Sequence, residues 1–264
     1  MSKISRNTAG GTAVGGGALA PRSRRGNTNQ ADGYWRGGGG LTFNIATGGN
    51  TLTNYTEGGV QYRSHLFTSS GTFTLTAQGT EPACNIFVQG GGGSGVCTNN
   101  GRGFGDGSGG SGGFATSTMI LPATSYQVTV GGVSGTSSFG VSTSLITANG
   151  GSGAPSECEF CCAGGGSGGA ASVSGALGTD NVTYTGLAGT GGCSCSGASN
   201  GRSNTYQDGT TRYYGGQRDG SYYGCSGCQA AVNAGGGGQG GHTNCGCNGG
   251  GAAGVVIIRY KFVP

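Results

Sequence analysis

Apolar and polar residues alternate through Leu41-Thr-Phe-Asn-Ile-Ala46 and again at the start of Val60-Gln-Tyr-Arg-Ser-His-Leu-Phe67, the period of two that marks a half-buried strand. Gly48-Gly-Asn50 turns the chain between them. Ser69-Ser-Gly71 is a second turn signal, so Thr72-Phe-Thr-Leu-Thr76 reads as the return strand of a hairpin with Val60–Phe67. Cys84–Val88, Phe114–Leu121, Tyr126–Val130, Ser137–Val141 and Leu145–Ala148 read as further short strands, with a turn at Pro122. Gly254-Val-Val-Ile-Ile-Arg-Tyr-Lys-Phe262 is the most hydrophobic stretch of the chain, which predicts a central place in a sheet.

Between these segments the pattern vanishes. Gln89–Gly113 has neither a helical nor an alternating face, and similar tracts return at Gly164–Gly169, Gly235–Gly241 and Gly249–Gly251. Glycine supplies 67 of 264 residues, about a quarter against a usual share of about 7%. Each glycine inside a helix costs about 1 kcal/mol relative to alanine, which argues against a helical protein. Two solutions remain: flexible tracts, or packed polyproline II helices, which make a turn in three residues and need a small residue wherever they touch. The net charge is only +4 and 11 residues are tyrosine, and both weigh toward order. Collagen is excluded by 5 prolines and the absence of a strict triplet. Packed glycine helices must pair their exposed N–H and C=O groups with one another. Residues 150–251 show almost no strand pattern and hold nine of the 11 cysteines. The expected fold is therefore all-β: a β-sandwich-like body with glycine-rich, polyproline II-type segments and a long cysteine-rich insertion at 150–251.

Charge divides the chain into an arm, residues 1–40, and a glycine-rich β domain, residues 41–264. Six cations stand against Asp32 in the first 36 residues, while the rest of the chain carries one net negative charge. Arg22, Arg24 and Arg25 could meet phosphates, but the basic character stops with the arm, and the expected contact is a partner protein rather than nucleic acid. Tyr34 and Trp35 read either as an anchor in a partner groove or as a cap on the chain's own sandwich. No run of about 18 apolar residues is present, and no apolar core follows Lys3 and Arg6 as a secretory signal requires. Synthesis in a cytoplasm without membrane insertion is expected.

Several motifs occur in a fixed order: Phe67-Thr-Ser-Ser-Gly-Thr-Phe-Thr-Leu75, Ile86-Phe-Val-Gln-Gly-Gly-Gly-Gly93, Leu121-Pro-Ala-Thr-Ser-Tyr-Gln-Val-Thr-Val-Gly-Gly132, Ser137-Ser-Phe-Gly140, Ala148-Asn-Gly-Gly-Ser152 and Gly254-Val-Val-Ile-Ile-Arg-Tyr260. The series resembles the glycine-rich domain of bacteriophage tail fibres, adhesins and other virion proteins, over roughly residues 59–262. The resemblance implies a β-rich domain with packed polyproline II segments, and loops between glycine tracts that contact a host surface. The cysteine clusters, the tyrosine-rich insertion and the basic arm depart from that pattern. The expectation is a structural virion protein of a tailed bacteriophage, a tail fibre or fibre-associated adhesin that forms a homo-oligomer and sits exposed on the particle. Its arm would dock on other virion proteins, and its loops would touch a glycan or protein of the host envelope. The alternatives are a cysteine-rich metal-binding structural protein and a decoration or connector protein without host binding.

Candidate chemistry concentrates in the insertion. Cys158-x-x-Cys161-Cys162, Cys193-x-Cys195, Cys225-x-x-Cys228 and His242-x-x-Cys245-x-Cys247 could hold a structural zinc or iron site or pair as disulfides between glycine helices; free thiols are the third reading. An odd count of 11 leaves at least one thiol outside any internal pair. Ser199–Tyr223 gathers Arg202, Tyr206, Arg212, Tyr213, Tyr214, Arg218, Tyr222 and Tyr223. Tyrosine and arginine are enriched at binding hot spots, so these residues are candidates for host contact; the competing reading has the tyrosines covering the glycine core. No Ser/His/Asp grouping can be assembled, and His65 lies in a strand-like segment, so enzymatic activity is not expected.

Overall fold

The computed structural model describes residues 43–95, 107–141, 144–155, 166–174, 178–188, 201–216, 235–236 and 250–262. Its strands are β1 (Ile45–Thr47), β2 (Thr51–Glu57), β3 (Val60–Phe67), β4 (Gly71–Ala77), β5 (Ala83–Gln89), β6 (Phe114–Ile120), β7 (Ser125–Thr129), β8 (Ser137–Val141), β9 (Ser144–Ala148), β10 (Ala171–Ser174), β11 (Gly178–Tyr184), β12 (Arg202–Asn204), β13 (Arg212–Tyr214) and β14 (Val255–Lys261). The described fold is all-β. Two six-stranded antiparallel sheets, in the orders β10-β9-β8-β7-β4-β1 and β11-β6-β5-β14-β3-β2, form a sandwich, and β12 pairs with β13 alone.

Alternation sets the core. Phe73, Leu75, Tyr126, Val128, Phe139 and Ile146 from the first sheet meet Ile86, Val88, Met119, Val256, Ile258 and Tyr260 from the second. Tyr126 stacks on Phe139 at 5.5 Å between centroids, and Phe73 meets the His65 ring edge-on at 5.2 Å. Strand β14 takes the central place its sequence predicts, between β5 and β3. Val255 to Tyr260 are buried without a break, because a second layer covers the outer face of this sheet as well.

Two turns differ from the sequence reading. β3 does not form a hairpin with β4: the two strands lie in different sheets. Asn50 explains the corner at residues 68–70. Its Oδ1 accepts the backbone N–H of Thr68 (2.7 Å) and of Ser69 (3.1 Å), and its Nδ2 donates to Ser69 Oγ (2.9 Å). The hairpin partner of β3 is β2, with Glu57 opposite Val60. Gly58 and Gly59 make the two-residue turn with φ of 58° and 82°, the paired positive values that fit the right-handed twist of a hairpin. Strands β10 to β13 also fall where almost no strand pattern was legible.

The described parts of the glycine tracts are ordered. β5, β6, β9, β10, β11 and β14 bring their ends to the same end of the sandwich, since Gln89 pairs with Phe114 and Val255, Phe114 with Tyr184, and Ala148 with Ala171. There the chain continues as a lattice of glycine segments. The N–H groups of Gly90 and Gly93 donate to the carbonyls of Gly113 and Gly110, at 2.9 and 2.8 Å. Between them, Gly91 donates to Gly135 (2.9 Å) and Gly92 to Ala252 (2.8 Å). The next segment repeats the scheme: Gly110 and Gly113 donate to Ser152 and Asn149, Ser111 to Leu187, and Gly112 to Gly235. Direction recurs every third residue, which is the turn of a polyproline II helix. Packing leaves no room for side chains: a Cβ on Gly91 would stand 1.9 Å from the Gly132 carbonyl oxygen, and one on Gly110 2.1 Å from that of Ser167.

Candidate functional site

The hairpin β12–β13 lies over the outer face of the second sheet. Its register sets Arg202 opposite Tyr214, Ser203 opposite Tyr213 and Asn204 opposite Arg212. The connecting loop folds on its own side chains. Asn204 Oδ1 accepts the N–H of Tyr206 (2.7 Å), Asp208 Oδ1 that of Thr210 (3.1 Å), and Thr205 the N–H of Gly209 (2.9 Å). Gly209, at φ 80°, brings the loop against the Tyr55 ring, where a Cβ would approach to 2.8 Å.

Tyr214 fastens the hairpin. It is 4% exposed and packs with Phe87, Phe114, Val255 and Ile257, with its ring centroid 4.7 Å from that of Phe87. Its hydroxyl donates to Gln207 Oε1 at 3.1 Å, and burial pushes its pKa up to about 12. Tyr214 therefore belongs to the underside and is closed to an outside partner. It covers an apolar sheet face rather than the glycine lattice.

Arg259 is the second fastening. Its guanidinium lies 4.0 Å from the centre of the Tyr206 ring and 4.3 Å from that of Tyr62. It donates to Tyr55 Oη (2.9 Å) and Asn85 Oδ1 (3.3 Å) and pairs with Glu57. Tyr55 passes the bond on by donating to the Tyr206 carbonyl at 3.1 Å. Burial pushes the Glu57 carboxyl up, but hydrogen bonds from Thr205 and Arg259 and the Arg259 charge outweigh it and hold the group below the ordinary range. Arg259, Glu57, Tyr55 and Tyr62 escaped the sequence reading. The available signal was a single arginine inside the apolar run Val255–Tyr260, which a buried strand tolerates only when paired.

Other residues of the hairpin stay exposed. Tyr213 is 55% exposed. Arg212 is held by Asp208 at 2.6 Å, and this bond keeps the Asp208 carboxyl below its usual range. Arg202 lies over the Tyr184 ring at 4.4 Å. Two adjoining clefts flank the hairpin and share Phe114 and Arg202: one of 220 Å³ against Ser111, Gly112 and Leu187, and one of 490 Å³ against β11.

Residues 68–261 match the family described as glycine-rich domain. The chain belongs to that family. No curated protein matches it. The match runs from the corner after β3 to the end of β14, so the glycine-rich domain takes in most of both sheets and the tracts between them.

The other residues singled out in the sequence fall elsewhere. Arg22, Arg24, Arg25, Tyr34, Trp35, Arg218, Tyr222, Tyr223, the cysteine groups from Cys158 to Cys247 and His242 lie outside the described residues. Cys84 is described: it is a buried free thiol, pushed up to about 12 by burial against a hydrogen bond from Asn44. His65 is buried in the sandwich, with Nδ1 donating to the Gly48 carbonyl (2.7 Å) and Nε2 accepting from Tyr260 Oη (3.1 Å).

Proposed function

We propose that this glycine-rich domain is a structural, non-enzymatic attachment protein of a tailed bacteriophage particle, a tail fibre or fibre-associated adhesin whose hairpin β12–β13 meets the host envelope. The observation that supports this most is rigid display. An arginine–tyrosine ridge, with Arg212 and Tyr213 exposed, is fastened below by Tyr214 and Arg259 and stands beside a glycine lattice with almost no side chains. Preorganised tyrosines bind at low entropic cost, and a stiff platform suits a surface that must engage without folding first. The ordered motifs that resemble virion glycine-rich domains supply the particle context. The basic arm with Tyr34 and Trp35 serves as the dock to other virion proteins.

The test is made on particles. The chain should copurify with virions, and Arg212→Ala with Tyr213→Ala should lower adsorption while leaving the particle count intact. Full adsorption by that double variant would take the contact away from this ridge. Absence of the chain from purified virions would end the virion reading.

A further inference from the structure

The larger cleft carries a chemistry of its own. One wall is β11, presenting Val182 and Tyr184; the other is the hairpin, presenting Arg202, Ser203 and Asn204; Phe114 lies between them. Val182, Tyr184 and, in the adjoining cleft, Leu187 are 38%, 37% and 36% exposed. Three of the large apolar residues left open among the described residues thus gather at one place. Tyr184 stacks on Phe114 at 4.7 Å with 28° between the rings, and it carries the Arg202 guanidinium over its own ring. The ion pairs of the described residues are made by Arg212, Arg259 and Lys261. Arg202 is therefore a cation placed by an aromatic ring at the mouth of a cleft, with no described carboxylate paired to it.

We propose that this cleft binds an acidic sugar, a hexuronate unit of an envelope polysaccharide. The proposal rests on the surface-attachment reading and specifies its ligand. A guanidinium fork fits a carboxylate with two parallel hydrogen bonds. The side chains of Ser203 and Asn204, which line the cleft, suit sugar hydroxyls, Asn204 through its amide nitrogen because its Oδ1 accepts the Tyr206 N–H. Val182 and the exposed edge of Tyr184 would meet the C–H surface of a pyranose ring. The volume of 490 Å³ lies within the roughly 300–1,000 Å³ usual for small-ligand sites. A single arginine among hydroxyl and amide groups matches one carboxylate on a polyol better than a phosphate cluster.

The experiment is calorimetric titration of the full chain with tri-galacturonate and with its neutral galactose counterpart. The uronate should bind at least about tenfold more tightly, the value of one charge-assisted hydrogen-bond pair. Arg202→Gln should abolish that difference. Asn204→Asp, which keeps the acceptor for the Tyr206 N–H, should weaken the uronate more than the neutral sugar, and far-ultraviolet dichroism would verify that both variants keep the wild-type fold. Equal affinity for charged and neutral sugars, or an Arg202→Gln protein that binds as wild type, overturns the assignment. So does an acidic peptide that competes as well as the uronate. If virions adsorb normally and neither oligosaccharide binds, the cleft assignment falls and attachment stands. If the uronate binds but the chain is absent from virions, the attachment reading falls and the cleft stands.

Discussion

Arg259 ties the hairpin to the sheet beneath it through several groups at once. One guanidinium serves Tyr55, Asn85 and Glu57 and lies against two tyrosine rings. Replacing it by methionine keeps the apolar stem but strands a partly buried carboxylate. Buried pairs broken on one side cost about 3–5 kcal/mol, and because Glu57 keeps a third of its side chain in water a loss of about 2 kcal/mol is expected by denaturant titration. The titration of His65 and Glu57 contributes two steps to the acid behaviour. Burial, together with the Arg63 charge, depresses the His65 pKa against the opposing Gly48 hydrogen bond. The unfolded chain then binds the proton first, so stability contributed by neutral His65 is complete above about pH 6.5 and lost as pH falls below it. Glu57 is likewise depressed, and its share is lost at lower pH, below about 4.3. Unfolding free energy measured against pH should show both steps, and His65→Gln should remove the upper one.

At the scale of elements, the two neighbouring tyrosines of β13 separate fastening from contact. Tyr214→Ala empties an aromatic site under the hairpin and should cost about 3 kcal/mol, with loss of amide protection across β12–β13. Tyr213→Ala should change stability by no more than about 0.5 kcal/mol. If both variants unfold alike, the hairpin is not docked as described. The central strand β14 was legible because an unbroken apolar run needs cover on both faces, and the core strands because their alternation is regular. Strand β2 was not, since Thr51-Leu-Thr-Asn-Tyr-Thr-Glu57 is mostly exposed at a sheet edge and carries little apolar signal. β11 failed for the same reason, and its register slips between Thr179 and Val182. The hairpin Ser69–Gly71 was misread because turn residues mark a change of direction without saying which sheet the chain enters. Of the site, the cluster around Arg202–Tyr214 was visible in composition. Its division into an inner and an outer side was not, because that depends on Phe87 and Ile257, far away in sequence.

For the whole molecule, the lattice makes a demand that ordinary cores do not: at most of its closely packed glycines it has no room for an added carbon. Gly91→Ala would set a methyl group against the backbone oxygen of Gly132. Neither side is a flexible side chain, so layers must part, and a loss above about 3 kcal/mol is expected, as for severe overpacking. Gly132→Ala, with open space at its Cβ position, should be neutral or gain up to about 1 kcal/mol. Thermal unfolding of the pair decides the matter, and equal effects would count against a packed lattice. The amides of Gly91, Gly92, Gly112 and Gly113 should also exchange slowly, since each donates to a carbonyl of another segment. The placement of β14 has a further consequence, for synthesis. The edges of β3 and β5 are completed by β14, which leaves the ribosome about 165 residues after Gln89, a wait of roughly 10–30 s at 5–20 residues per second. Through that interval the nascent chain exposes two sticky strand edges with nothing to close them. A ribosome stalled before Val255 should therefore hold a chaperone-bound, aggregation-prone chain, and release of the last strand should be the event that lets the domain set.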